Sequence, residues 1–256
     1  MSNKLCAAIL GGLAAGLFLR RLATRGGATD DEVDASLAGD DVIPHPMLET
    51  THAITIAAPP LAVWPWLIQG GYRGAGRAGW YSDSWFNRLV EGGFLRVTVP
   101  PESMHEKPGV ASADEILPAF QHTAVGDIIP DGPPGSAQFE VRAVDPERAW
   151  VLYSDTHIKY AMPTFLHNTR WASHGEFTWV FVLQPIGQQG TRLILRTRAR
   201  FGPRLLRPLF LPLFYLGEAI IPRMTLRGVK ARAERTARNS PLEFNDGEQS
   251  TPDNSR

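Results

Sequence analysis

Cysteine is nearly absent: Cys6 stands alone in 256 residues, which excludes an intramolecular disulfide framework and any cysteine-rich zinc site. Excess charge of either sign is absent too. Lys and Arg total 26 against 26 Asp and Glu, so the chain as a whole has no electrostatic reason to seek nucleic acid. The histidines, His45, His52, His105, His122, His157, His167 and His174, include no i, i+4 pair and no H-E-x-x-H. The closest two, His167 and His174, have no evident third ligand, so neither a metal nor any other cofactor is expected. No G-x-S-x-G elbow is present for a nucleophilic serine.

Long apolar runs are also scarce. The stretch LCAAILGGLAAGLFL, residues 5–19, carries no charge, but fifteen helical residues span only about 22 Å against roughly 30 Å of hydrocarbon. Snorkelling of Arg20 and Arg21 extends the span to Ala23. Gly12 and Gly16 have the spacing that lets membrane helices approach. Because Arg20, Arg21 and Arg25 follow the apolar run, the expectation is an uncleaved membrane anchor over residues 1–25, membrane contact through 5–23, and a folded part on the cytoplasmic side.

Basic residues are missing between Arg25 and Arg73, where Asp30, Asp31, Glu32, Asp34, Asp40 and Asp41 crowd together. Residues 26–46 therefore read as a flexible acidic linker. Residues 47–238 read as one ligand-binding domain, and the polar, aperiodic residues 239–256 as a disordered tail.

Inside the domain, alternation predicts strands at His52 to Ala57, near Asp127 to Ile129, near Gln138 to Val144 and near Trp150 to Tyr153. Pro59 and Pro60 open a Trp-rich helix that stops at Gly70 and Gly71. A short helix is expected over Ser82 to Val90. EFTWVFVLQPIGQQGTRLILRTRARF predicts a hairpin whose second limb puts Leu193, Leu195, Thr197, Ala199 and Phe201 on one face. Arg192, Arg196, Arg198 and Arg200 occupy a solvated opposite face. Pro208, Pro212 and Pro222 predict a broken helix over the apolar 205–222, with a basic continuation to Arg238.

One motif tests a different function. GAGRAGWYSDSW holds Gly74, Gly76 and Gly79 at the spacing G-x-G-x-x-G, which elsewhere cradles a dinucleotide pyrophosphate. That fingerprint needs a strand before the first glycine and a long helix after the last. Here a helix precedes and Trp80-Tyr81 follows, so the triplet reads as a turn between packed helices.

The segments ITIAAPPLAVWPWLIQGG, GRAGWYSDSWFNRL, EILPAFQHTAVGDIIP and TWVFVLQPIGQQGTRLILRTRARF resemble the SRPBCC superfamily of START and birch-pollen-allergen-like proteins, closest to its polyketide cyclase/dehydrase-like bacterial branch. The resemblance covers about residues 47–238. It implies an α+β helix-grip fold, in which a curved antiparallel sheet wraps a long C-terminal helix around a hydrophobic cavity.

The aromatic residues are the first candidates for that cavity. Trp64, Trp80, Tyr81, Trp85, Trp179 and Phe181 are expected to bind ligand, since aromatic rings give apolar area with a polar handle. Asp83, His122, Asp127 and Glu176 are candidate acid–base groups by neighbourhood. Helix capping accounts equally for Asp83, a turn for Asp127 and a solvated strand end for Glu176, while His122 could face cavity or solvent. Three functions compete: binding or transport of a hydrophobic small molecule or lipid by a membrane-tethered domain, with 205–222 as a second membrane contact; a cyclase or dehydratase using an acid–base residue in the same cavity; and a structural or stress protein with a filled interior.

Overall fold

The computed structural model describes residues 20–21, 23–99, 110–169, 174–202 and 207–239. The anchor residues 5–19 and the tail beyond Asn239 lie outside them. Among the described residues, no helix is long and apolar enough to cross a membrane.

Six antiparallel strands form one sheet in the order β1-β6-β5-β4-β3-β2. They are β1 Leu48–Ile56, β2 Ile128–Pro130, β3 Gln138–Asp145, β4 Ala149–Ser154, β5 His174–Ile186 and β6 Gly190–Gly202. The β5–β6 hairpin is the longest pairing, running from His174↔Gly202 to Ile186↔Gly190. Its period of two puts Phe177, Trp179, Phe181, Leu193, Leu195, Ala199 and Phe201 into one buried core.

Against that face lie two helices, α2 Pro60–Ile68 and α6 Arg207–Asn239. This is an α+β helix-grip architecture. A broken α6 was expected, but the helix is continuous across Pro212 and Pro222. Each proline removes one i→i−4 bond. The sheet supplies compensating contacts: Phe214 stacks on Phe201 at 5.8 Å, and Leu226, Val229 and Ala233 are buried.

The acidic segment is the main departure from expectation, because residues 26–46 are not a flexible linker. They form a strap across the outer face of the sheet. Its helix α1, Asp30–Asp34, is held by a capping box between Thr29 and Glu32. The Gly26 carbonyl accepts the Ala53 amide at 2.9 Å, adding the strap to the free edge of β1. Nor is the arginine face of β6 wet. Arg196, only 1% exposed, has an acceptor for each of its five N–H groups: Thr51 Oγ1, the Ala35, Glu32 and Val33 carbonyls, and Asp40 Oδ2. Arg192 pairs bidentately with Glu32 at 2.6 and 2.9 Å, and Arg198 meets Glu49 at 2.7 Å. Acid without base in the strap and base without acid on β6 are two halves of one interface, which a local reading could not join. Of the four arginines only Arg200 fits the solvated reading, half-exposed and paired with Glu176.

A candidate ligand cavity between the sheet, the terminal helix and a helical cover

The connector GRAGWYSDSW builds one wall. Arg77 is buried and donates to the Gly70 and Ile68 carbonyls, both at 2.6 Å, which caps the end of α2. Burial lowers its pKa to about 10. Gly76 and Gly79 both have φ of +80°, a conformation open to glycine. All strand pairings are antiparallel, so the triplet turns the chain and serves no dinucleotide fold.

That turn delivers Trp80 to the sheet. Its ring sits 5.0 Å from Trp179, edge to face, and 6.2 Å from Phe181, stacked. Behind it Tyr81, with a φ of +62°, donates its hydroxyl to the Trp66 carbonyl and accepts from Gln69 Nε2 at 3.0 Å. From α6 the Arg232 guanidinium covers the Tyr81 ring at 4.7 Å. The chain then runs through three consecutive helical pieces: α3 Ser84–Leu89, a π turn Val90–Phe94 and α4 Leu95–Thr98.

Between this cover, β5, β6, α6 and the short helix α5 His157–Tyr160 lies a cavity of about 330 Å³. Its walls are mainly apolar: Phe177 and Trp179 from β5, Phe201 from β6, Phe214 and Ile221 from α6, and Phe86, Val90 and Phe94 from the cover. The interior is therefore not filled solid by its own rings.

Two polar poles interrupt these walls. At the first, Asp131 accepts from Trp80 Nε1 on one oxygen and meets His157 Nε2 at 2.7 Å on the other. His157 Nδ1 lies 2.7 Å from Ser154 Oγ, and its ring packs 4.3 Å from Phe139. Both carboxylate oxygens and both ring nitrogens are thus engaged, so this network pins Trp80 in place. At the second pole stands Glu218, 5% exposed, which accepts from Thr50 Oγ1 at 2.6 Å. Burial pushes its pKa up to about 7, partly opposed by the Thr50 and Thr197 hydroxyls. The Phe177–Phe214 contact, 5.8 Å between centroids, belongs to the wall shared by both poles.

Of the six aromatic candidates, Trp80 and Trp179 line the cavity. Trp64, Tyr81 and Phe181 are buried in the core without lining it, and Trp85 is 59% exposed. Period-two alternation places Phe181 on the cavity-side face, but Trp80 stacks over it. None of the acid–base candidates reaches the cavity. Asp83 is exposed and occupies the N-cap of α3, yet its side chain makes no capping bond. His122 is exposed. Asp127 accepts the Ala124 amide at 2.8 Å in a turn. Glu176 lies on the strand face opposite Phe177 and pairs with Arg200. Charged and polar groups that do line it, among them Arg73, Asn87, Asp131, His157 and Glu218, were missed. Only Glu218 had a local signal, as the sole charge between Arg207 and Arg223.

No family model matches the chain, and no curated protein matches it. Among solved structures it is similar to protein MLL2253 from Mesorhizobium loti, with 16% identity and a TM-score of 0.39 over 74% of this chain and 98% of that one. It is similar to truncated norcoclaurine synthase from Thalictrum flavum, with 12% identity and a TM-score of 0.37 over 74% and 92%. It is also similar to the polyketide_cyc-like protein Cgl2372 from Corynebacterium glutamicum, with 13% identity and a TM-score of 0.35 over 78% and 97%. Likenesses this remote assign no activity; the helix-grip architecture stands on the chain's own strand order and terminal helix.

Proposed function

We propose that the domain binds a small hydrophobic molecule in this cavity and carries it without converting it. The observation behind this reading is the mainly apolar space of about 330 Å³, within the range of small-molecule sites. Burial of apolar surface at about 25 cal/mol per Å² drives retention. Native mass spectrometry of the purified protein should show a co-purifying small molecule. Ala161→Phe, which fills space at a lining position, should lose it while the protein stays folded. A ligand retained unchanged by that variant would place binding elsewhere.

A second reading, a cyclase or dehydratase, is favoured by one observation: Glu218 is a buried carboxyl with a pKa of about 7 inside the cavity, suited to acid–base exchange near neutral pH. Turnover of a bound ligand that Glu218→Gln abolishes, with binding retained, would establish it over simple carriage.

We also propose that residues 5–23 tether the domain to a membrane with its folded part on the cytoplasmic side. The support is the uncharged run followed by Arg20, Arg21 and Arg25. Beside the cavity-lining Phe86, Val90 and Gly217, the exposed Trp85, Leu89 and Leu216 would face that surface. The rest of the apolar 205–222 contributes Phe214, Glu218 and Ile221 to the cavity. Since Ala23 and Gly26 are buried in the fold, the informative truncation removes residues 1–19 alone. It should shift the protein from the membrane to the soluble fraction, and no shift would refute the tether.

A further inference from the structure

The two poles of the cavity differ in what they have left to offer a guest. At the Asp131 pole, Trp80, His157 and Ser154 occupy the polar atoms. A carboxylate and an imidazole satisfied in this way hold a wall in place. Glu218 is different: its hydrogen-bond partner is the Thr50 hydroxyl, and the Thr197 hydroxyl is its other polar neighbour. Thr50 and Thr197 sit opposite each other in the β1–β6 register, so the carboxyl rests on a two-hydroxyl ledge with the cavity beyond. Among the described residues no positive charge acts on it. The other titratable groups on the packed elements and the cavity lining include His52 on β1, Tyr215 and Arg223 on α6, and the lining residues Arg73, Asp131 and His157; Arg223 is five residues further along α6, about 7.5 Å of helical rise away.

A buried carboxyl with hydroxyl partners and no cation is an expensive arrangement. Bridging α6 to β1 does not require it, since an apolar side chain packs there at lower cost. A guest cation would complete the site.

From this geometry we infer that the cavity selects a small apolar molecule bearing a basic nitrogen, whose ammonium group seats against Glu218 while its apolar body lies along Phe177, Phe201 and Phe214. The inference rests on the reading of the cavity as a ligand site. Binding then couples to ionisation: in the empty protein below neutral pH Glu218 holds a proton, and the arriving cation displaces that proton to solvent. The carboxylate formed accepts a charge-assisted hydrogen bond from the guest. An alcohol of the same shape gains only the apolar part, and above neutral pH, where Glu218 is ionised, a carboxylate guest is repelled.

Titration calorimetry on the purified full-length protein tests this with n-octylamine, n-octanol and octanoate, whose short chains suit the volume. Octylamine should bind about 10- to 100-fold more tightly than octanol, the difference expected of a hydrogen bond to a charged group, with octanoate weakest. In Glu218→Gln that advantage should fall to within about threefold, with octanol affinity kept. Repeating the wild-type titration at pH 6 in two buffers of different ionisation enthalpy should show close to one proton released with octylamine and none with octanol. This second measurement decides the matter if the variant fails to fold. Equal affinities of amine and alcohol, an amine advantage that survives Glu218→Gln, or absent proton release would overturn the inference and leave the cavity as a ligand site. Failure of all three probes to bind would overturn both.

Discussion

Replacing Glu218 by glutamine should change how stability depends on pH, and the size of the change follows from two buried groups that oppose each other. Glu218 keeps its proton in the folded chain up to about pH 7, whereas the same carboxyl, with an ordinary value of 4.5, gives it up earlier when unfolded. Between those values the unfolded state binds fewer protons, so stability falls as pH rises. His52 works the other way. It is fully buried, accepts the Gly26 amide at 3.2 Å on Nδ1, and has its pKa lowered from 6.5 to about 4 by burial and then by Arg223. Over that window the unfolded chain binds more protons, so stability rises with pH. Each group spans two to three pKa units, and one unit is 1.36 kcal/mol, so each changes stability by about 3 kcal/mol.

The two windows overlap between the ordinary values of 4.5 for a glutamate and 6.5 for a histidine. There the slopes cancel, and the wild-type protein should show a plateau. Glu218→Gln removes the falling limb and leaves the His52 limb, so stability should climb by roughly 1.4 kcal/mol per pH unit until the histidine is neutral in both states. At pH 8 the variant should have gained about 3 kcal/mol on the wild type relative to their difference at pH 4. Urea denaturation followed by tryptophan fluorescence from pH 4 to 8 at fixed ionic strength measures this directly, provided the m-values agree. Parallel curves for the two proteins would show that Glu218 titrates alike in the folded and unfolded states, which would refute the claim that its burial is uncompensated.

Other perturbations reach the supports of the site. Arg196→Met leaves three strap carbonyls without their donor and Asp40 with the Leu37 amide and Arg198 alone; it should cost about 3–5 kcal/mol and raise amide exchange across residues 29–43, and a loss under about 1 kcal/mol would show the strap to be dispensable. Gly228→Ala would set a Cβ 2.2 Å from Tyr81 Cβ and 2.6 Å from its carbonyl oxygen. It should destabilise by about 1–3 kcal/mol, read as a Tm drop of about 2–4 °C per kcal/mol. Gly217→Ala, whose Cβ meets nothing nearer than Ile221 Cδ1 at 3.9 Å, should be neutral or stabilising in the same helix by up to about 1 kcal/mol. Asp131→Ala strips the acceptor from Trp80 Nε1 and a partner from His157; a loss of about 2 kcal/mol and a changed near-ultraviolet tryptophan signal are expected.

Sequence patterning reached the sheet because a strand's period is local. The hairpin from His174 to Gly202 alternates so regularly that its buried face could be named residue by residue. Patterning failed wherever a residue's surroundings come from far along the chain. Arg196 reads as a solvated charge until the strap some 160 residues away supplies its acceptors. Pro212 and Pro222 read as breaks until the sheet face holds the helix through them. Asp131 and His157 are 26 residues apart on a loop and a short helix, with no spacing to betray them. Glu218 is the instructive case, because its signal was present: one carboxyl in an apolar half-helix must either face water or be buried at a cost. Facing water would have made it solubilising. Buried beside a cavity, with no positive charge acting on it among the described residues, the same carboxyl gives the cavity a chemical preference, and this makes it the first residue to change in any search for a ligand.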